Sequence, residues 1–351
     1  MASSPEIIYI ATRGSELALK QANTTLANLK KLFPKKRFEL KILKTTGDQL
    51  QTASLSNPDP KLPKGLFTKE LETALLEGEA TLAVHSLKDL PTDLPEGLKL
   101  GAVLQREDPS DVLIFRDESV ARVRRMVEPP PPREWSPGQS EMPYLRGFSP
   151  GCSLSDLPDE AVVATSSARR EAQIRHLRPD FRIKPIRGNV GTRLNKLLIQ
   201  PELDATILAA AGLIRLGFRL QQDGRLGGRE DEFPGLLATR LQGDEMIPCP
   251  GQGIIGLEIR ENDPLAEELC QSLNHSNSWK MAVTERAFLN QMGGGCQSPV
   301  AAHAEIIGHQ VRLRAISFMH GDTRTGNDQA PRNEAETMGR RLADSLKSPE
   351  S

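Results

Sequence analysis

Strand-type runs alternate with amphipathic helical spacing along most of this chain, and that alternation restricts the fold more than any other feature. "EIIYIAT" (6–12) is short, apolar and rich in Ile, which reads as a strand. "ELALKQANTTLANLKKLF" then puts Leu19, Ala22, Leu26, Leu29 and Phe33 on one helical face, with Ser15 placed as N-cap. "FELKILKT" (38–45) reads as a strand, "FTKELETALLEGEA" (67–80) as a helix and "TLAVHSL" (81–87) as a strand. Such alternation predicts βαβ units and a parallel sheet.

The pattern breaks after "DVLIF" (111–115), and residues 128–158 are rich in Pro, Gly and Ser, which predicts an exposed insertion. It resumes with "AVVAT" (161–165), "SSARREAQIRHL" (166–177), "FRIKPIRG" (181–188), "VGTRLNKLL" (190–198) and "DATILAAAGLIRLG" (204–217). "LQQDGRLGGREDEFPG" (220–235) reads as a loop and "IIGLEIR" (254–260) as a late strand. Two helices, "PLAEELCQSLN" (264–274) and "KMAVTERAFLNQM" (280–292), precede "AAHAEIIG" and "VRLRAISF", which suit a small antiparallel sheet. The expected division is 1–116 with 244–262, then 117–243 with its insertion near 118–158, then 263–351.

The formal net charge of -1 gives no bulk attraction to a polyanion, so neither a nucleic-acid nor a membrane partner is expected. The longest apolar runs, such as that over 206–214, are strand-length, and the N-terminus lacks the pattern of a signal peptide. Cys152, Cys249, Cys270 and Cys296 show no zinc-like or redox-pair spacing, and the six histidines are scattered. Free thiols in a reducing, cytoplasmic compartment and no metal are the expectation.

Arginines recur where strands end and helices begin: Arg13 in "ATRGS", Arg169 and Arg170 in "ATSSARR", Arg187 in "PIRGN" and Arg193 opening the next helix. Strand ends and helix starts line the ligand crevice of an α/β sheet. Helix amides and the arginine fork both suit anions, so a site for several carboxylates or phosphates is expected. Arg175 and Arg178 read instead as solvated helix positions. "HSLKDLP" (85–91) sets Lys88 and Asp89 just beyond a strand, as a surface pair or as a carboxylate that stabilises a cation. "GQGIIG" (251–256) has dinucleotide spacing, but prolines precede it and a strand follows, so it reads as a turn. "GGGCQ" (293–297) presents Cys296 on bare backbone; locally, an inert and a reactive thiol remain equally open.

Taken together, "TRGSELALKQ", "KTTGDQ", "KGLFTKELETALLEGEATLAVHSLKDLPTDLPEGL", "REDPSDVLI", "TSSARREAQ", "IRGNVGTRL", "PGQGIIGLEIR" and "ERAFLNQMGGGCQSPVAAHAEI" resemble the porphobilinogen deaminase family. The resemblance implies two doubly wound α/β lobes like those of periplasmic binding proteins, plus a small α+β C-terminal domain with an antiparallel sheet. It implies a dipyrromethane cofactor held through a thioether at Cys296, with Asp89 as the catalytic carboxylate. Arg13, Ser15, Gln21, Lys88, Thr165, Ser166, Ser167, Arg169, Arg170, Arg187, Arg193, Arg215 and Gln252 match residues around cofactor and substrate. The implied reaction condenses porphobilinogen stepwise, with loss of ammonia, to hydroxymethylbilane in a monomeric enzyme. Ala164 and Ala168 stand where the family usually has Gly and Leu, which predicts altered packing there. A reversible anion-binding protein and a transferase using Cys296 as a transient nucleophile are the rival readings.

Overall fold

A computed structural model describes residues 7–47, 67–127, 145–295 and 297–347. The chain forms two compact units, one from 1–109 with 247–351 and the other from 110–246. Among the described residues, no helix is long and apolar enough to cross a membrane.

In the first unit, β1 (Ile7–Arg13), β2 (Arg37–Leu43), β3 (Leu82–Ser86), β4 (Leu98–Val103) and β12 (Ile255–Arg260) form a sheet in the order β2-β1-β3-β12-β4. Strand alternation sends Ile8 and Ile10 to one face, where they pack with Ala22 and Leu29 of the Glu16–Leu32 helix and Leu269 of the Pro264–Leu273 helix. Ala11 and Ala83 face the other way, onto Leu71 and Leu75 of the Lys69–Leu76 helix. Both faces are therefore covered, as a doubly wound sheet requires.

The second unit repeats this plan with β5 (Asp111–Arg116), β6 (Val162–Ala164), β7 (Arg182–Lys184), β8 (Ala205–Ala209) and β11 (Leu236–Arg240) in the order β11-β5-β8-β6-β7. Read from β7, the order matches that of the first sheet, with β5 in the place of β12. The parallel pairing expected from the alternation is joined by antiparallel pairing: β12 runs antiparallel to β3 and β4, and β5 antiparallel to β8 and β11. Each of these strands is the first that the chain forms after passing from one unit to the other. It therefore arrives without the helical crossover that a parallel neighbour needs. The strand at 111–116, assigned by the sequence to the first lobe, accordingly belongs to the second sheet.

The Pro-rich stretch 128–144 lies outside the described residues. Its flanks are more ordered in structure than an exposed insertion. Glu118–Val127 is helical, and Leu154 and Leu157 are buried in the core of the second unit. Phe148 packs edge-on against Phe115 at 6.0 Å, and buried Arg116 donates from Nε to the carbonyl of Arg146 at 2.7 Å. Arg178 is not solvated as expected. It donates to the carbonyls of Leu154 and Leu157 while lying over Phe181, so it staples this segment down. Within 220–235, read as a loop, β9 (Arg219–Leu220) pairs with β10 (Leu226–Gly227).

At the C-terminal end, β13 (Val300–Ile307), β14 (Gln310–Ser317) and β15 (Arg324–Pro331) make an antiparallel sheet. The Ser276–Gln291 and Ala335–Leu346 helices pack on its apolar face through Phe288, Met338 and Leu342.

Candidate active site

The ends of β1 and β3 lie side by side in the first sheet, and the residues just beyond them line one pocket. Arg13, Ser15, Gln21 and Asp89 from the sequence reading are all there, joined by Phe67, Thr68, His85 and Ser86. Ser15 is also the helix N-cap, its Oγ accepting from the amide of Ala18 at 3.3 Å. The guanidinium of Arg13 lies 4.2 Å from the centre of the Phe67 ring, a cation–π contact that orients it. Buried Gln21 donates from Nε2 to Ser86 Oγ at 2.8 Å, and Ser86 Oγ lies 3.2 Å from Gln21 Oε1. This pair ties the Glu16–Leu32 helix to the strand that delivers Asp89.

Asp89 sits in a single helical turn, Leu87–Asp89, that follows β3 directly, and it is exposed. Gly251 explains why that turn can sit where it does, and Gly253 lets the chain pass close to Glu107. A Cβ on Gly251 would come within 3.1 Å of the Lys88 amide, and one on Gly253 within 2.4 Å of the Glu107 carbonyl. Both have positive φ, 75° and 84°. The "GQG" spacing thus serves crossing backbones, as the turn reading expected.

Lys88 and Gln252 are not among the residues lining the Asp89 pocket. Gln252 is 1% exposed; its Oε1 accepts from Lys88 Nζ at 3.3 Å and its Nε2 donates to the Pro109 carbonyl at 2.7 Å. Its carbonyl accepts from Arg106 Nε at 2.8 Å. Gln252, expected around cofactor and substrate, thus joins Lys88 to the segment at Pro109 through its amide.

In the second unit, the carboxyl ends of β6, β7 and β8 gather Thr165, Ser166, Ser167 and the helix starts. Ser166 Oγ bridges Ile186, 2.9 Å from both its carbonyl and its amide. Ser167 caps the Ala168–Leu177 helix, and Thr165 Oγ1 accepts from the Ser167 amide at 3.2 Å. Asp111, missed from the sequence, organises the arginines. It is fully buried and takes Arg169 Nη1 at 2.8 Å on one oxygen and Arg170 Nη2 at 2.7 Å on the other. Arg170 also donates to the carbonyl of Ile207. Both guanidiniums are nearly buried, so they frame the sheet edge from within instead of standing in solvent.

Arg187 is exposed, Arg193 and Arg215 are partly buried, and Arg193 donates from Nε to the Gly188 carbonyl at 2.8 Å. Ala164 is wholly buried on β6, its carbonyl accepting from Thr206 Oγ1.

Cys296 lies outside the described residues. The Ser276–Gln291 helix leads to its loop; Gly293 has φ of 70°, and a Cβ at Gly293 or Gly295 would meet no atom within 4 Å. Between them, a Cβ at Gly294 would meet Leu289 at 3.0 Å and Ser298 Oγ at 3.1 Å. Cys152 and Cys270 are buried, and burial pushes their thiols up to about 11 and about 12. Cys249 is partly buried and, among the described residues, forms no disulfide.

Comparison with known proteins agrees with this architecture. The family described as porphobilinogen deaminase, dipyromethane cofactor binding domain, matches residues 8–132 and 139–268, and its C-terminal domain matches 279–348. The porphobilinogen deaminase of Syntrophomonas wolfei is 39% identical, over 97% of this chain and 94% of that protein. Those of Thermus thermophilus and Geobacter metallireducens are 41% and 37% identical, over 86% and 98% of this chain and 81% and 92% of their own lengths. With family domains matched across most of its length, the chain belongs to the porphobilinogen deaminase family, the transferases of tetrapyrrole biosynthesis that carry a dipyrromethane cofactor.

Proposed function

We propose that Asp89 is the charge-stabilising carboxylate of this enzyme and Cys296 its cofactor anchor. The reaction joins four porphobilinogen molecules head to tail with loss of ammonia, then releases hydroxymethylbilane by hydrolysis. The observation that carries the assignment of Asp89 is its place on a pocket shared with Arg13, at the end of β3. Losing ammonia leaves positive charge on the substrate's methylene-pyrrole, and a carboxylate held beside it lowers the energy of that state. Because Asp89 is exposed, bound substrate itself must shield it from water.

The dipyrromethane, when bound, supplies the pyrrole carbon to which the first new bond is made. Each ring carries an acetate and a propionate, so cations must meet it. Arg13 offers one beside Asp89; Arg187, Arg193 and Arg215, with Ser166 and Ser167, offer others at the second sheet edge. Arg169 orients that edge from its pairing with Asp111. Arg170 and Gln252 act as supports, for Asp111 and Lys88 respectively. Ser15, Gln21 and Thr165 hold the helix starts and Ser86 in place.

The finer division into three domains, with 263–351 carrying the Cys296 loop, is part of this reading. So are a monomeric state, a cytoplasmic location and the absence of nucleic-acid and membrane partners, which the near-zero net charge supports. Intact-protein mass spectrometry tests the core of it. A stable two-pyrrole increment on wild type that vanishes in Cys296→Ser is expected; an unmodified wild type that releases ammonia would overturn the anchor.

A further inference from the structure

Beneath the Asp89 pocket lie two titratable side chains without a role so far. Glu258 on β12 stands opposite Ala83 on β3, and His85, two residues along β3 on the same face, lies diagonally across from it. Their side chains are 0% and 4% exposed, and His85 Nε2 is 2.9 Å from Glu258 Oε2. The approach is out of line for a directed hydrogen bond, and neither Glu258 oxygen accepts one from any described residue. A carboxylate removed from water without hydrogen bonds is tolerated only beside a positive charge. Among the described residues, His85 is its ion-pair partner.

The other groups around His85 are ionisable as well. Glu72, from the Lys69–Leu76 helix, is held above the usual carboxylate range, first by burial and then by the charge of Glu258. The nearness of Thr68 and of His85 opposes this rise. On the open side, His85 lines the pocket together with Arg13 and Asp89. A buried group able to exchange a proton thus meets the place where the reaction must move protons.

The reaction moves two. The amine nitrogen gains a proton before its C–N bond breaks and ammonia leaves with the bonding electrons. After the new C–C bond forms, the accepting ring carbon loses its hydrogen as a proton, and the C–H electron pair returns to the ring. We propose that His85, as the imidazolium paired with Glu258, gives the first proton and recovers the second. The sum is amine plus ring C–H giving the new C–C bond plus ammonia, with His85 restored after each addition. This rests on the deaminase reading and leaves Asp89 charged throughout, free to stabilise the cation. Glu258 acts through His85, as a positioning residue.

The test uses the full-length, cofactor-loaded protein. His85→Gln should release ammonia in a single turnover roughly 100-fold more slowly. Glu258→Gln keeps the shape but not the charge. It should match wild type at low pH and lose activity at lower pH than wild type as pH rises, because the imidazolium then gives up its proton sooner. A structural role would slow the reaction equally at every pH. Independently of activity, the His85 ring resonance, assigned through its backbone in the unsubstituted protein, should titrate, and should do so at lower pH in Glu258→Gln. A His85 ring that stays neutral across about pH 5 to 8, where a histidine ordinarily changes charge, overturns the proposal, as does an unmoved alkaline limb in Glu258→Gln. Should that variant not fold, the wild-type titration decides alone. Failure here, with ammonia still released and the two-pyrrole mass present, would leave the deaminase reading intact.

Discussion

Arg170 holds Asp111 with two nitrogens on one oxygen, Nε at 3.1 Å and Nη2 at 2.7 Å, and Asp111 is entirely out of water. Its second oxygen belongs to Arg169, 2.8 Å away. The doublet "RR" therefore shares one buried counter-charge.

Replacing Asp111 by Asn should destabilise the second unit strongly, because it leaves two nearly buried guanidiniums with one neutral partner. Breaking a buried ion pair from one side costs about 3–5 kcal/mol. Calorimetry should show a large fall in Tm for Asp111→Asn and for Arg170→Ala. A variant melting with wild type would show that the pair carries no structural load. Arg187→Ala, which removes only an exposed side chain, should leave Tm unchanged and weaken cofactor loading or substrate affinity instead.

Asp89→Asn keeps the shape and removes the charge. It should fold, carry cofactor when supplied with preformed tetrapyrrole, and release ammonia roughly 100- to 1,000-fold more slowly. Asp89→Glu moves the charge by about one methylene and should retain more activity than Asn. Single-turnover ammonia release on cofactor-loaded protein is the measurement; a wild-type rate in Asp89→Asn refutes the assigned role.

Cys296→Ser should give a folded protein without the two-pyrrole mass and almost without activity, while Cys152, Cys249 and Cys270 should each be replaceable. The raised thiols of Cys152 and Cys270 also predict slow alkylation in the native protein. Peptide mapping after brief alkylation at mildly alkaline pH checks this. Rapid labelling of either buried thiol would count against the packing described.

His303 is buried, and burial first, then the neighbouring Arg106, pushes its imidazole below the usual 6.5, against the pull of Glu285 and Glu305. The unfolded chain therefore binds this proton first as pH falls. The contribution of neutral His303 is complete above the unfolded value and is lost as pH drops from there through the folded one. His303→Gln should flatten the dependence of Tm on pH just below 6.5, relative to wild type. An identical profile for the two proteins would exclude His303 as a source of acid lability.

Local patterning accounts for what could be read from the chain alone. Periodicity is a property of neighbouring residues, so β1, the Glu16–Leu32 helix, β3, β13 and β14 were legible, and so were the strand-end positions of Arg13 and Asp89; β15 was not read. The ordered motifs further implied the family, its cofactor and Cys296. Pairing across distance was not legible. Lys88 meets Gln252 at a separation of 164 residues, and Arg170 meets Asp111 at 59. No local spacing distinguishes a guanidinium waiting for a ligand from one spent on a buried carboxylate. The directions of β5 and β12 depend on where the chain passes between units, which periodicity does not encode. His85 and Glu258 each look like an ordinary residue on a strand. Only the pairing of β3 with β12 brings them together away from water, where a charge needs its partner.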